Sequence, residues 1–172
     1  MQSVADVVAK WLADKEIKHA FGIIGGGNFA LWTAIAELGQ TEIIAVHHEQ
    51  AAAMAATFYY RTVGRMAAVL VTTGAGSTNV ITGVMDAWMD SIPLLVLSGN
   101  EAEKYHQSKG RGFGFQGYDS VHVAKGFTKL ASRMCVGDRY TGYLDWHLAA
   151  ALRHRQGPVW IDIPRDVQNA QV

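Results

Sequence analysis

Short apolar runs of strand length alternate along this chain with longer stretches of helical periodicity, and that alternation constrains the fold more than any other feature. The strand candidates are His19 to Ile24 (HAFGII), Glu42 to Val46 (EIIAV), Met66 to Thr72 (MAAVLVT), Pro93 to Ser98 (PLLVLS), Phe127 to Met134 and Pro158 to Ile163 (PVWIDI). Between them, Val4, Val7, Val8, Trp11 and Leu12 fall at helical spacing behind Ser3, a plausible N-cap. Phe29–Leu38, stopped at Gly39, Ala-rich Glu49–Thr62, ending at Gly64, Ser77–Met89 and Tyr140–Arg155 also read as helices. Strands that are apolar on both faces and alternate with helices predict an α/β fold: a doubly wound, mostly parallel sheet with helices on both faces. At 172 residues the chain fits one domain, 1–172. Asn100 to Tyr118, with Gly110, Gly112, Gly114, Gly117, Lys104, Lys109 and Arg111, reads as a long mobile functional loop.

Charged residues make up 17%, below the ~25% usual for a soluble domain, which points to a surface partly covered by another protein. Fifteen Lys+Arg balance fifteen Asp+Glu, so there is no basic excess for nucleic acid. Cys135 stands alone, which excludes an internal disulfide or a cysteine metal cluster and fits a reducing compartment. The N-terminus is interrupted by Asp6, Lys10, Asp14, Lys15 and Glu16, and no apolar run approaches the ~20 residues of a membrane helix. The expectation is a cytoplasmic protein without a membrane partner.

Two glycine-rich turns follow strand candidates: Gly22-Ile23-Ile24-Gly25-Gly26-Gly27 and Thr72-Thr73-Gly74-Ala75-Gly76-Ser77-Thr78-Asn79. Such turns let backbone approach a ligand and aim free N–H groups at it, although tight turns of an α/β fold look the same. The second half-matches a dinucleotide fingerprint, with Asn79 where the third glycine belongs and Glu101 as a candidate ribose acid. His47-His48-Glu49-Gln50 lies between the turns, at a strand exit and helix start. Glu49 there is either a capping group or a carboxyl directed at a ligand in a dry crevice. His47 and His48 are acid–base candidates or merely hydrogen-bonded; His19, His106, His122, His147 and His154 are scattered. The tryptophans fall mostly on apolar faces, for core or interface packing. There is no G-x-S-x-G elbow and no G-x-x-x-x-G-K-[ST] loop, which disfavours a serine hydrolase and a P-loop ATPase.

In order along nearly the whole chain, the motifs are Phe21-Gly22-Ile23-Ile24-Gly25-Gly26, His48-Glu49-Gln50-Ala51-Ala52, Gly74-Ala75-Gly76-Ser77-Thr78-Asn79, Asp90-Ser91-Ile92-Pro93, Phe115-Gln116 and Gly157 to Gln168 (GPVWIDIPRDVQ). The ordered set closely resembles the N-terminal pyrimidine-binding domain of thiamine-diphosphate enzymes of the acetolactate synthase and 2-oxoacid decarboxylase group. The resemblance implies that the Glu49 carboxyl hydrogen-bonds N1′ of the cofactor aminopyrimidine, favouring the imino tautomer that deprotonates the thiazolium. It assigns catalysis to Glu49 and Gln116. It places Gly25, Gly26, Thr73, Ala75 and Asn79 with Glu49 around the pyrimidine, and His48, Phe115 and Gln116 at the substrate pocket.

Departures from the family pattern are informative. Ile24 and Ala75 replace loop prolines and keep an apolar wall. Gly26 stands where some decarboxylases carry an acid or hydroxyl, which favours a synthase-like carboligase site. The family's G-D-G segment for diphosphate and Mg²⁺ is missing; Gly137-Asp138 is followed by Arg139. The resemblance therefore implies half of an active site and no metal ligand here. Diphosphate and Mg²⁺ would sit on another polypeptide or on the remainder of a longer chain. The implied protein is the α subunit of a two-chain 2-oxoacid decarboxylase or carboligase, pairing with a diphosphate-binding β subunit, for example as a dimer of heterodimers. A non-catalytic regulatory or assembly module and a dinucleotide-binding domain are the alternatives.

Overall fold

The computed structural model describes residues 1–106 and 111–172. Lys109 and Gly110 of the expected loop lie outside them. The elements follow the predicted alternation: α1 (Val4–Asp14), β1 (His19–Gly22), α2 (Phe29–Leu38), β2 (Glu42–Ala45), α3 (Glu49–Val63), β3 (Ala68–Val71), α4 (Ala75–Asn79) and α5 (Ile81–Met89). Then come β4 (Leu95–Asn100), α6 (Glu103–His106), α7 (Ser120–Ala124), β5 (Leu130–Arg133), α8 (Tyr140–Leu152), β6 (Val159–Pro164) and α9 (Arg165–Asn169). Ser3 caps α1 as expected: its hydroxyl accepts from Asp6 N, and the Asp6 carboxylate returns the bond to Ser3 N at 2.7 Å. Gly39 and Gly64 end α2 and α3 at φ 66 and 72, where a side chain would strain the backbone.

All six strands are parallel, in the order β2-β1-β3-β4-β6-β5. Alternate strand residues feed opposite faces. Ala68 and Leu70 join Val8, Leu12, Leu31, Ile35 and Leu144 beneath α1, α2 and α8. Val69 and Val71 join Ala52, Ala56, Val84 and Trp160 beneath α3, α5 and α7. Both faces are thus covered, which is why these strands read as continuous apolar runs. The chain leaves β1 for β2 in one direction and returns past it to β3, so the strand order reverses between β1 and β3. A crevice opens at such a reversal, at the strands' carboxyl ends.

Some boundaries differ from the sequence expectation. Ser77–Met89 is two helices, because Val80 closes α4 and starts α5. The last long helix stops at Leu152, where Arg153 turns extended at ψ 146. The expected 100–118 loop contains α6 and a bridge between Phe113 and Gly117. Trp11 and Trp160 are core residues, whereas Trp88 and Trp146 lie on the surface. No described helix is long and apolar enough to cross a membrane.

Candidate functional site

The two glycine turns leave the carboxyl ends of β1 and β3, so the reversal point places them side by side. The first is held from three directions. Asn28, fully buried, accepts from Gly25 N at 2.8 Å and donates to the Ile23 carbonyl at 3.0 Å. Gln168, on α9, donates to the Gly27 carbonyl at 2.6 Å and the Ile163 carbonyl at 2.7 Å. Thr72 Oγ1, from the second turn, accepts from Gly27 N at 3.0 Å. The packing leaves no room for side chains: a Cβ on Gly27 would stand 2.0 Å from Thr73 Oγ1, and one on Gly25 2.5 Å from Thr72 Oγ1. Gly26 is different; a Cβ there would meet nothing within 4 Å, so its backbone borders open space.

Glu49 begins α3 immediately beyond β2 and is 7% exposed. Its Oε2 accepts from Asn79 Nδ2 at 3.0 Å. Its Oε1 lies 3.2 Å from where a Gly76 Cβ would be, a position also 2.6 Å from Thr72 Cγ2. The carboxyl is therefore pressed against the second turn beside the wall shared by both turns. Oε1 receives no hydrogen bond among the described residues. A nearly buried carboxyl with one oxygen held and the other open is suited to hydrogen-bond a polar ligand atom.

A cleft of about 450 Å³ runs between the turns, lined by Gly25, Gly26, Gly27, Thr72, Thr73, Glu101, Phe115, Gln116 and Arg165. Of the residues singled out in the sequence, Gly25, Gly26, Thr73, Phe115 and Gln116 share this wall, while Glu49 and Asn79 join each other at the adjoining turn. Ala75 is exposed at the start of α4. His48 is exposed as the N-cap of α3, its Nδ1 accepting from Gln50 N at 3.2 Å, and does not line the cleft. His47 is also exposed. Glu101, considered above as a ribose acid, engages the chain itself: Phe115 N and Gln116 N donate to its Oε1, and Arg165 lies 3.5 Å from its Oε2.

A buried network stands behind the cleft. Asp162, 0% exposed on β6, accepts from Arg133 Nε at 2.6 Å, Ser120 Oγ at 2.8 Å and Asn100 Nδ2 at 3.0 Å. Burial pushes the Asp162 carboxyl above its ordinary pKa, with Arg133 opposing. Asn100 also donates to the Tyr118 carbonyl at 3.2 Å, and the Tyr118 and Ser77 hydroxyls are 3.0 Å apart. Burial raises the Tyr118 pKa, and the Ser77 bond works against it. Among the described residues, no three His, Cys, Asp or Glu side chains converge as metal ligands.

Sequence reasoning missed Asn28 and the structural work of Gln168. Asn28, three residues beyond Gly25, carries a readable signal, the local side-chain-to-backbone bond of an asparagine in a turn. The contact of Gln168 with Gly27 carries none, because the two lie 141 residues apart.

Fold and site together define a doubly wound α/β domain with an acid-bearing crevice between two glycine turns at the strand-order reversal. Residues 2–127 match the family model described as the thiamine pyrophosphate enzyme N-terminal TPP binding domain, and the chain belongs to that family. It is 35% identical over 167 residues to the acetolactate synthase large subunit of Haemophilus influenzae, covering 97% of this chain and 28% of that protein. It is 36% identical over 169 residues to the acetolactate synthase isozyme 3 large subunit of Escherichia coli, covering 98% of this chain and 29% of that one. Against the mitochondrial acetolactate synthase of Schizosaccharomyces pombe, identity is 37% over 151 residues, 88% of this chain and 22% of that protein. The chain thus spans less than a third of these relatives.

Proposed function

We propose that this chain is the pyrimidine-binding half of a thiamine-diphosphate-dependent enzyme that decarboxylates a 2-oxoacid and transfers the resulting fragment, as an acetolactate synthase does. The observation that carries this proposal is the Glu49 carboxyl, nearly buried, held on one oxygen by Asn79 and open on the other beside Gly76. The residues present fit the cofactor's aminopyrimidine. Glu49 supplies an acid for a ring nitrogen, and Gly25 and Gly26 supply a wall without bulk. When bound, thiamine diphosphate supplies the electron sink for cleavage beside a carbonyl.

This chain's own part is positional and electrostatic. With the cofactor bound, Glu49 would share a proton between its free oxygen and a nitrogen of the aminopyrimidine. Asn79 holds one carboxyl oxygen, and burial against the second turn would limit water at the contact. Thr73, which lines the cleft, and Ala75, at the exposed start of α4, would border the ring from the second turn. Gln116 and Phe115, which line the cleft, would face the substrate; His48, exposed as the α3 N-cap, lies outside that lining. Diphosphate and Mg²⁺ are assigned to a G-D-G domain on a partner β subunit or on the remainder of a longer chain. An interface suits the outer faces of α3 and α5, where Phe58 is 56% and Met89 66% exposed and Met85 and Trp88 also lie on the surface. We place the complete enzyme in the cytoplasm.

The test is turnover of pyruvate and related 2-oxoacids by the chain assembled with its diphosphate domain. Glu49→Gln lowers kcat about 10²- to 10⁴-fold with cofactor still bound. Full activity in Glu49→Gln overturns the mechanism. A wild-type assembly that gives no calorimetric heat with the cofactor points instead to a non-catalytic module.

A further inference from the structure

We propose that Glu101 is the positioning residue that sets Phe115 and Gln116 against the cleft, by acting as an internal anion for the turn that carries them. Residues 113–117 form a closed turn: Phe113 N donates to the Gly117 carbonyl and Gly117 N to the Phe113 carbonyl, each at 2.7 Å. At its tip, the amides of Phe115 and Gln116 converge on Glu101 Oε1 at 3.3 and 3.4 Å. Successive amides aimed at one point make a nest for a negative charge, and here the chain's own carboxylate fills it.

Steric fit reinforces the electrostatics. A Cβ on Gly114 would stand 2.8 Å from Glu101 Cδ, and one on Gly117 2.8 Å from Glu101 Cγ. Gly114 also sits at φ 60. The two glycines let the turn close over the carboxylate. The far side of the turn rests on the second glycine turn, where a Gly74 Cβ would be 2.8 Å from the Gln116 carbonyl.

The anchor is itself tied into the buried network. Glu101 N donates to Asn100 Oδ1 at 2.9 Å, and Asn100 is tied to Asp162 and the Tyr118 carbonyl. Arg165, which also lines the cleft, pairs with the other oxygen, Oε2, at 3.5 Å. Phe115, 90% exposed, owes its placement to this backbone anchor and not to burial of its ring.

The kinetic part rests on the proposed function; the conformational part does not. Two variants keep the test decisive. Glu101→Gln retains an acceptor and removes the charge, and Glu101→Leu removes both. In the protein as expressed, amide exchange at Phe115 and Gln116 rises about tenfold in Glu101→Leu and less in Glu101→Gln, with β-strand amides unchanged. In the assembled enzyme, KM for the 2-oxoacid rises about tenfold in Glu101→Leu, while cofactor affinity holds. Unchanged exchange in both variants overturns the proposal, as does a cofactor affinity that falls in parallel with KM. If the wild-type assembly turns nothing over, the functional proposal falls, and the exchange measurement still decides the role of Glu101.

Discussion

Asn79 Nδ2 donates to Glu49 Oε2 across 3.0 Å and so ties the last residue of α4 to the first of α3. The bond joins the strand-exit acid to the second glycine turn, and it aims the other carboxyl oxygen past Gly76.

Losing that bond should cost function more than stability. A hydrogen bond to a charged group contributes about 1.5–3 kcal/mol, roughly one to two decades in rate if it is needed to orient Glu49. Asn79→Ala is expected to lower kcat of the assembled enzyme about tenfold or more with little change in Tm, measured by steady-state assay and thermal melt. A Tm drop as large as that of a core variant would assign Asn79 a structural role instead.

Gly99 should be intolerant of a methyl group. Its Cβ would stand 2.0 Å from the Gly27 carbonyl oxygen and 2.7 Å from Asn28 N, both backbone atoms of the first glycine turn. Gln168 and Asn28 pin that turn, so it cannot retreat cheaply. Gly99→Ala is expected to destabilise by ~3 kcal/mol, lowering Tm by about 6–12 °C. Denaturant titration of both proteins checks it.

His147 predicts an acid limb of stability. It is fully buried on α8, with Nδ1 2.9 Å from the Tyr143 carbonyl and Nε2 2.8 Å from Ser132 Oγ. Burial depresses its pKa below the ordinary 6.5, against the Tyr143 bond. The unfolded chain therefore takes up a proton near pH 6.5 while the folded chain stays neutral until lower pH. Stability is complete above that window and falls as pH drops towards the folded pKa. Burial lowers the His106 pKa as well, so His147→Gln shrinks the slope and does not abolish it. Urea midpoints between about pH 7.5 and pH 5 measure the difference.

Cys135 should be slow to alkylate although it is exposed. Partial burial and then the neighbouring Glu103 push its thiol up to about 11, with Arg133 opposing. At about pH 8 its iodoacetamide reaction is expected to run roughly 100-fold slower than that of a free cysteine, because only the thiolate attacks. A rate equal to that of free cysteine would contradict the environment described.

The sequence by itself determined the alternation of strands and helices, the stops at Gly39 and Gly64, the Ser3 cap, and the position of Glu49 at the start of α3, just beyond β2. Each of these depends on periodicity or on partners a few residues apart, and such physics is written locally. It also marked both glycine turns without showing that they meet. Only the tertiary structure decided that, because the reversal of strand order at β1 and β3 couples residues some fifty positions apart. The same holds for Gln168 on Gly27 and for Glu101 beneath Phe115 and Gln116. Their partners are far along the chain, and a side chain that serves as an anchor there looks, in sequence, like any other polar residue.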